Sequence, residues 1–287
     1  MKIKTFFDPR TSTLTHLVWD EHTRDAVVID PVLDFEPTTG RVWTESAERV
    51  ATFAKAEDLK VHYALETHAH ADHLSGGQVF VEQFGAKTVI SREIKAVQEV
   101  FAPVFGKGGD FPLDGSQFDA LVEHGEVLEA GALQLEVIHT PGHTPACVTW
   151  KIEDALFTGD ALFMPDFGTG RCDFPAGSAE DLYDSVTNRL YVLPDDTRVF
   201  VGHDYQPGDR ELAWETTIGA SKAENKQLTA TTDREDFVSW RTERDATLSA
   251  PRLLFPSIQV NIDAGRLPAA DAEGGRHLRL PLKVEGL

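Results

Sequence analysis

Thr67-His68-Ala69-His70-Ala71-Asp72-His73-Leu74-Ser75-Gly76-Gly77 is the stretch that decides the fold. Four residues able to bind a metal, His68, His70, Asp72 and His73, fall within six positions. Imidazole and carboxylate suit zinc, iron or manganese, and the alanine spacers let a loop close tightly around an ion. A lone histidine says little, but this density of donors at this spacing points to a metal site. Immediately upstream, residues 61–65 are an apolar run that reads as a buried strand delivering the chain to His68.

Three later positions have the same design. His143 lies in Thr140-Pro141-Gly142-His143-Thr144 after an expected strand at 133–138. Asp160 lies in Thr158-Gly159-Asp160 after a strand at 155–157, and His203 in Gly202-His203-Asp204-Tyr205 after a strand at 199–201. Each is a polar residue at a strand end beside glycine, where backbone can approach an ion closely. Taken together and in this order, the seven residues make one site.

Around them the pattern alternates strands and helices. Residues 14–19 and 26–29 read as an antiparallel pair, and 46–59 as a helix capped by Ser46. A helix runs from Leu74 to near Gly85, a strand follows at 88–90, and a helix at 91–102 takes Ser91 as its cap with Glu93 in the first turn. Residues 106–115 are rich in glycine and proline and predict a surface loop. Strands at 126–128, 133–138, 146–152 and 155–157 precede a helix at 178–193, which Pro194 ends. From about Gly208 the chain reads as helical and polar, closing in extended proline- and glycine-rich segments. The sum is an α/β (α+β) protein, an αββα sandwich with a helical and extended C-terminal extension. We expect a single domain over 1–287, with a core at about 1–207 and the extension at about 208–287.

Composition narrows the partners. The 287 residues carry a formal net charge of −20, which repels nucleic acid and anionic membrane alike. The N-terminus has no apolar segment of a secretory signal, and apolar runs are too short to span a bilayer, so a cytoplasmic location is expected. The two cysteines, Cys147 and Cys172, make no disulfide framework and fit a reducing compartment. Cys147 reads as core. Cys172, although beside Arg171, reads as structural rather than nucleophilic.

The order HxHxDH, then His, Asp and His at strand ends, resembles the metallo-β-lactamase superfamily over roughly residues 14–205. In its hydrolytic members, such as glyoxalase II, the resemblance implies two metals. His68, His70 and His143 would hold one, Asp72, His73 and His203 the other, and Asp160 would bridge. The strings THAHADHLSGG, TPGHTPACVTW, FTGDALF, GTGRCDF and PSIQVNIDAG look like the persulfide dioxygenase family, which includes the ethylmalonic encephalopathy protein. That resemblance implies one Fe(II) per chain on His68, His143 and Asp160, a two-histidine, one-carboxylate set with open positions. His70, Asp72, His73, His203 and Asp173 would then surround the ion or mark a vestigial second site. Ligand inventory alone fits either chemistry, and the flanks favour the dioxygenase.

The implied reaction oxidises glutathione persulfide with O₂ and water to sulfite and glutathione. Arg171 is able to fork a substrate carboxylate, and Tyr205 to donate to the substrate; both count as catalytic and substrate-binding candidates. The alternative is a di-zinc thioester hydrolase of glyoxalase II type. No flavin domain is visible, which disfavours a diiron redox module. A homodimer or higher oligomer is expected, and any sulfurtransferase partner would be a separate protein.

Overall fold

Every residue of Thr13–Trp19 and of Asp25–Ile29 is buried, so both faces of these strands are covered. A sheet covered on both faces requires a layer on each side of it. The structure, a computed structural model, describes residues 1–282 and 284. The first half contains β1 (Lys2–Asp8), β2 (Thr13–Trp19), β3 (Asp25–Ile29), β4 (Val32–Glu36), β5 (Arg41–Trp43), α1 (Glu45–Ala56), β6 (Lys60–Leu65), β7 (Leu74–Ser75), α2 (Gly77–Phe84), β8 (Lys87–Ser91), α3 (Ile94–Val104) and β9 (Ala120–Val122). The second contains β10 (Val127–Ala130), β11 (Leu133–His139), β12 (Val148–Ile152), β13 (Ala155–Phe157), α4 (Ala179–Ser185), β14 (Arg198–Phe200), β15 (Glu215–Thr217), α5 (Ile218–Glu224), α6 (Arg234–Asp245) and α7 (Leu254–Asn261). A π-helical turn, Val186–Leu190, prolongs α4.

Two six-stranded sheets result, in the orders β1-β2-β3-β6-β8-β9 and β10-β11-β12-β13-β14-β15. The first is antiparallel through β1, β2 and β3 and parallel from β3 to β9. In the second, the parallel pairing of β13 with β14 is the exception to antiparallel neighbours. Between the sheets lie Val27, Ile29, Leu65 and Val89 of one, packed against Val137, Trp150, Phe157 and Phe200 of the other. Helices α1 and α2 cover the outer face of the first sheet through Ala47, Val50 and Phe80. Helix α4 and its π turn cover the second through Leu182, Val186 and Leu190. This is the αββα sandwich.

The site loops all leave strand ends at one edge of the sandwich, after β3, β6, β11, β13 and β14. The residues beyond 207 close over that edge. Phe237 of α6 packs beside Tyr183 of α4 at 5.8 Å. Ile258 and Ile262 pack with Ala69 and Ala71 of the histidine loop. No helix among the described residues is long and apolar enough to cross a membrane.

The structure revises several local expectations. Ser46 is not the cap of α1 but lies inside it; its N–H and hydroxyl both donate to Asp34, at 2.8 Å each. The β4–β5 hairpin that brings Asp34 there has short strands with little periodicity. Helix α3 starts at Ile94 with Glu93 at the cap position, while Ser91 closes β8 and accepts from the Glu93 N–H. Helix α2 begins at Gly77, because Leu74 and Ser75 pair with Leu33 and Val32. The N-terminal residues form an edge strand, β1, and 215–217 form another, β15, both unanticipated.

His16 on β2 links the two sheets. Its Nε2 donates to the Val201 carbonyl at 3.0 Å, its Nδ1 lies 3.0 Å from the Thr5 hydroxyl, and Phe157 and Phe200 flank the ring. Burial pushes its pKa down to about 4, with the Val201 carbonyl and Asp30 opposing. The unfolded chain therefore binds more protons between pH 6.5 and 4. Stability is full above that window and falls as pH falls through it. Between pH 7 and pH 5 this group alone should cost about 2 kcal/mol. Urea denaturation at the two pH values should show that loss in the wild type and a smaller one in His16→Gln; equal losses would refute the assignment.

Candidate metal centre

Asp30 anchors the first loop. It follows β3 with a positive φ of 49°, and its carboxylate accepts from the Thr67 N–H at 2.7 Å and the Thr67 hydroxyl at 2.8 Å. The Thr67 oxygen in turn lies 3.0 Å from His68 Nδ1. With its hydrogen donated to Asp30, that oxygen accepts from Nδ1–H, which leaves His68 Nε2 as a free lone pair. Asp30 Oδ1 also lies 3.0 Å from His70 Nε2, with Glu66 Oε2 at 3.5 Å, which turns His70 Nδ1 toward the site. Burial opposes a charge on His70, but the Asp30 and Glu66 carboxylates hold its pKa above the usual imidazole value. Burial, and then the neighbouring His70 and His143, lower that of His68.

Asn261, the last residue of α7, fastens the same loop from the other side. Its amide donates to the carbonyls of His70 at 2.7 Å and His73 at 2.8 Å, and its Oδ1 accepts from the Ser75 N–H at 2.8 Å. All three bonds are buried, so the C-terminal segment is part of the site. Neither Asp30 nor Asn261 was singled out from sequence. Asp30-Pro31 directly after an apolar strand was a usable signal; Asn261 stood in the PSIQVNIDAG string with nothing local to mark it.

The other ligand candidates are set by close backbone approaches. Gly142 has a φ of 140°, and a Cβ there would fall 2.4 Å from Leu182 Cα. Gly159 has a φ of 49°, and a Cβ there would fall 2.4 Å from the Thr67 hydroxyl. Glycine is therefore required just before both His143 and Asp160. His143 Nδ1 donates to the Arg171 carbonyl at 2.6 Å, freeing Nε2. A bridge from Thr13 to His203 joins the first sheet to the end of β14.

All seven residues named from sequence come together. His68, His143 and Asp160 form one group of donor atoms within 4.8 Å of one another; His70, Asp72, His73 and His203 form a second. His70 thus falls with the second group. Asp160 reaches both, with Oδ2 3.5 Å from His143 Nε2 and Oδ1 3.3 Å from His203 Nε2. His68 Nε2, His70 Nδ1, His73 Nε2, both nitrogens of His203 and Asp160 Oδ1 are buried without a hydrogen-bond partner. Each such atom costs about 1–3 kcal/mol. Metal binding would satisfy one ring nitrogen of each histidine and Asp160 Oδ1, and this donor set fits a metal.

Around the centre, the Arg171 guanidinium forks onto Asp173 at 2.5 Å twice and donates to the Ser249 carbonyl at 2.8 Å. Asp173 therefore orients Arg171. Buried Arg241 pairs with Asp245, whose other oxygen accepts from the Cys172 N–H at 2.7 Å, so α6 braces the 169–173 loop. Tyr205 stacks on His203 at 5.6 Å and meets Phe167 at 4.6 Å. Desolvation in the cleft, and then Asp160 and Asp72, raise the pKa of its hydroxyl, which stays protonated. Both cysteines are free and buried. Burial pushes Cys147 up to about 12 and Cys172 higher still, so neither is a thiolate nucleophile.

The sequence profile of the Metallo-beta-lactamase superfamily matches residues 8–203, the span that holds all seven donors. The chain belongs to the metallo-β-lactamase superfamily. Among superfamily relatives, it is 44% identical to glyoxylase B2 of Dictyostelium discoideum, over 98% of this chain and 97% of that one. It is 32% identical to the mitochondrial persulfide dioxygenase ETHE1 of Mus musculus, over 92% and 88%. The crystal structure of ETHE1 from Myxococcus xanthus superposes with a TM-score of 0.74 and 32% identity, covering 93% of this chain and 100% of that one.

Removing the brace from α7 tests how far this metallo-β-lactamase centre depends on it. Asn261→Ala should weaken metal binding about 10–100-fold, because groups that orient ligands contribute at that level. Competition with a chelator measures it; unchanged affinity would show that the histidine loop holds its shape without Asn261.

Proposed function

We propose that this chain is a persulfide dioxygenase. It oxidises glutathione persulfide with O₂ and water to glutathione and sulfite, releasing two protons, at one Fe(II) held by His68, His143 and Asp160. The observation that supports this reading is a set of two imidazoles and one carboxylate, His68, His143 and Asp160, whose donor atoms lie within 4.8 Å of one another. Such a set leaves coordination positions open for two reactants. When bound, iron supplies the redox chemistry that lets O₂ oxidise the persulfide sulfur. The chain's own residues position and shield. Thr67 and the Arg171 carbonyl hold His68 and His143 with Nε2 inward. Tyr205, protonated, serves as a donor to the substrate, and Phe163 and Phe167 pack against its ring. His70, Asp72, His73 and His203 set the field around the ion. Arg171, engaged by Asp173, shapes the wall of the cleft.

A second reading is a glyoxalase II-type thioester hydrolase with two zinc ions. The four-donor second group, and the reach of Asp160 to both groups, favour it, as does the similarity to glyoxylase B2. To the dioxygenase reading belong a cytoplasmic setting, a homo-oligomer, and a separate sulfurtransferase as the source of persulfide.

Elemental analysis with an oxygen electrode tests the choice. We expect about one iron per chain and O₂ uptake on glutathione persulfide. Two zinc ions, hydrolysis of S-lactoylglutathione and no O₂ uptake would overturn it. His143→Ala should lose metal and at least about 100-fold in rate; full metal content in that variant would remove His143 from the site.

A further inference from the structure

Two of the metal donors are oriented by one short loop, residues 167–171. The carbonyl of Arg171 accepts from His143 Nδ1 at 2.6 Å. The N–H of Gly170 donates to the Asp160 carbonyl at 3.0 Å. That approach leaves no room for a side chain, since a Cβ on Gly170 would fall 2.2 Å from the Asp160 oxygen. His143 follows β11 and Asp160 follows β13, yet both take their placement from the same five residues. Wherever the loop lies, the His143 ring and the Asp160 backbone lie with it.

The loop makes some bonds of its own: the N–H groups of Phe167 and Gly168 share the Met164 carbonyl at 2.8 and 2.9 Å. Other backbone groups are met from a distant segment between α5 and α6. Gln227 Nε2 donates to the Phe167 carbonyl at 2.7 Å. Its Oε1 accepts from the Thr169 N–H at 3.0 Å and the Thr169 hydroxyl at 2.9 Å. The two backbone bonds straddle Gly168, as the bonds of a neighbouring strand would. A side-chain amide can do this because it carries a donor and an acceptor on one planar group. Gly168 has a φ of 107°, and a Cβ there would fall 2.2 Å from Gln227 Cδ, so the contact requires glycine.

Buried Asn225 fixes Gln227 in turn. Its Oδ1 accepts from the N–H groups of Gln227 at 3.0 Å and Leu228 at 2.9 Å, and its Nδ2 donates to the Gly168 carbonyl at 3.1 Å. From α6, Arg241 Nη1 donates to Gln227 Oε1 at 3.3 Å. Every polar atom of the Gln227 side chain is thus directed at the loop or held by its supports.

We propose that Gln227 is a positioning residue of the metal centre. Its amide fixes residues 167–169, and through the Gly170 N–H and the Arg171 carbonyl it sets Asp160 and the His143 ring. The assignment goes beyond the dioxygenase reading and is independent of it, because one iron and two zinc ions would both use His143 and Asp160.

Cobalt(II) titrated into the metal-free protein, followed by its visible absorption, tests this without turnover. Gln227→Met keeps the side chain's bulk and removes the amide. It should raise the cobalt Kd about 10–100-fold, the level at which groups that orient ligands contribute, and it should change the shape of the absorption bands. Gln227→Glu keeps the acceptor for Thr169 and loses the donor to Phe167, so its Kd should fall between those of wild type and Gln227→Met. Urea denaturation of the metal-free proteins separates a merely structural role: lowered stability in Gln227→Met with wild-type cobalt Kd and bands would overturn the proposal. Thr169→Val, which removes one hydroxyl from a near-isosteric side chain, should raise the Kd by a smaller factor. If Gln227→Met does not fold, wild-type cobalt Kd in both Gln227→Glu and Thr169→Val would overturn the proposal equally.

Discussion

The carboxylate of Asp30 is the constraint on which the site depends. It sits at the end of a central strand and accepts both the N–H and the hydroxyl of Thr67, while its Oδ1 faces His70. One buried charge thus fixes the start of the histidine loop, the tautomer of His68 through Thr67, and the ring orientation of His70. A buried carboxylate is costly unless hydrogen-bonded and paired. Here burial opposes its ionisation, and His70 with Thr67 brings its pKa below the usual aspartate value. The groups that stabilise the charge are the same ones it orients.

The sandwich gives that carboxylate something to organise. Donors from β6, β11, β13 and β14 come from two different sheets, so their separation is set by the packing between Ile29, Leu65, Val137 and Phe157. Close packing at native density leaves little play in such distances. The C-terminal residues complete the enclosure: Asn261 ties down the histidine loop, and the Arg241–Asp245 pair ties down the loop that carries Arg171 and Cys172. A segment that reads as an appendage by composition supplies one wall of the site.

Local chemistry explains where sequence reasoning succeeded and where it slipped. The helix expected at 178–193, which the structure has as α4 and its π turn over 179–190, was legible because burial of one face imposes a period, and β2 and β3 were legible as continuous apolar runs because both faces are buried. The caps of α1 and α3 were not. Ser46 and Ser91 are good capping residues, but a carboxylate from a short hairpin and the end of a strand took them for other bonds. Edge strands β1 and β15 have one mixed face and little pattern, so they passed unnoticed.

The sequence by itself determined the donor set: His68, His70, Asp72, His73, His143, Asp160 and His203 are recognisable because a metal needs particular atoms beside small residues, and those are local requirements. Only the tertiary structure decided how the donors lie: His70 groups with Asp72, His73 and His203, His68 with His143, and Asp160 reaches both groups. It also decided how one cation is used: Arg171, attractive as a neighbour of the glycine turn, is engaged by Asp173 two residues on. The physical reason is the same for both. The His70 ring is oriented by Asp30, and the Arg171 guanidinium is held in addition by the Ser249 carbonyl, groups far away in the chain whose positions exist only once the fold has packed.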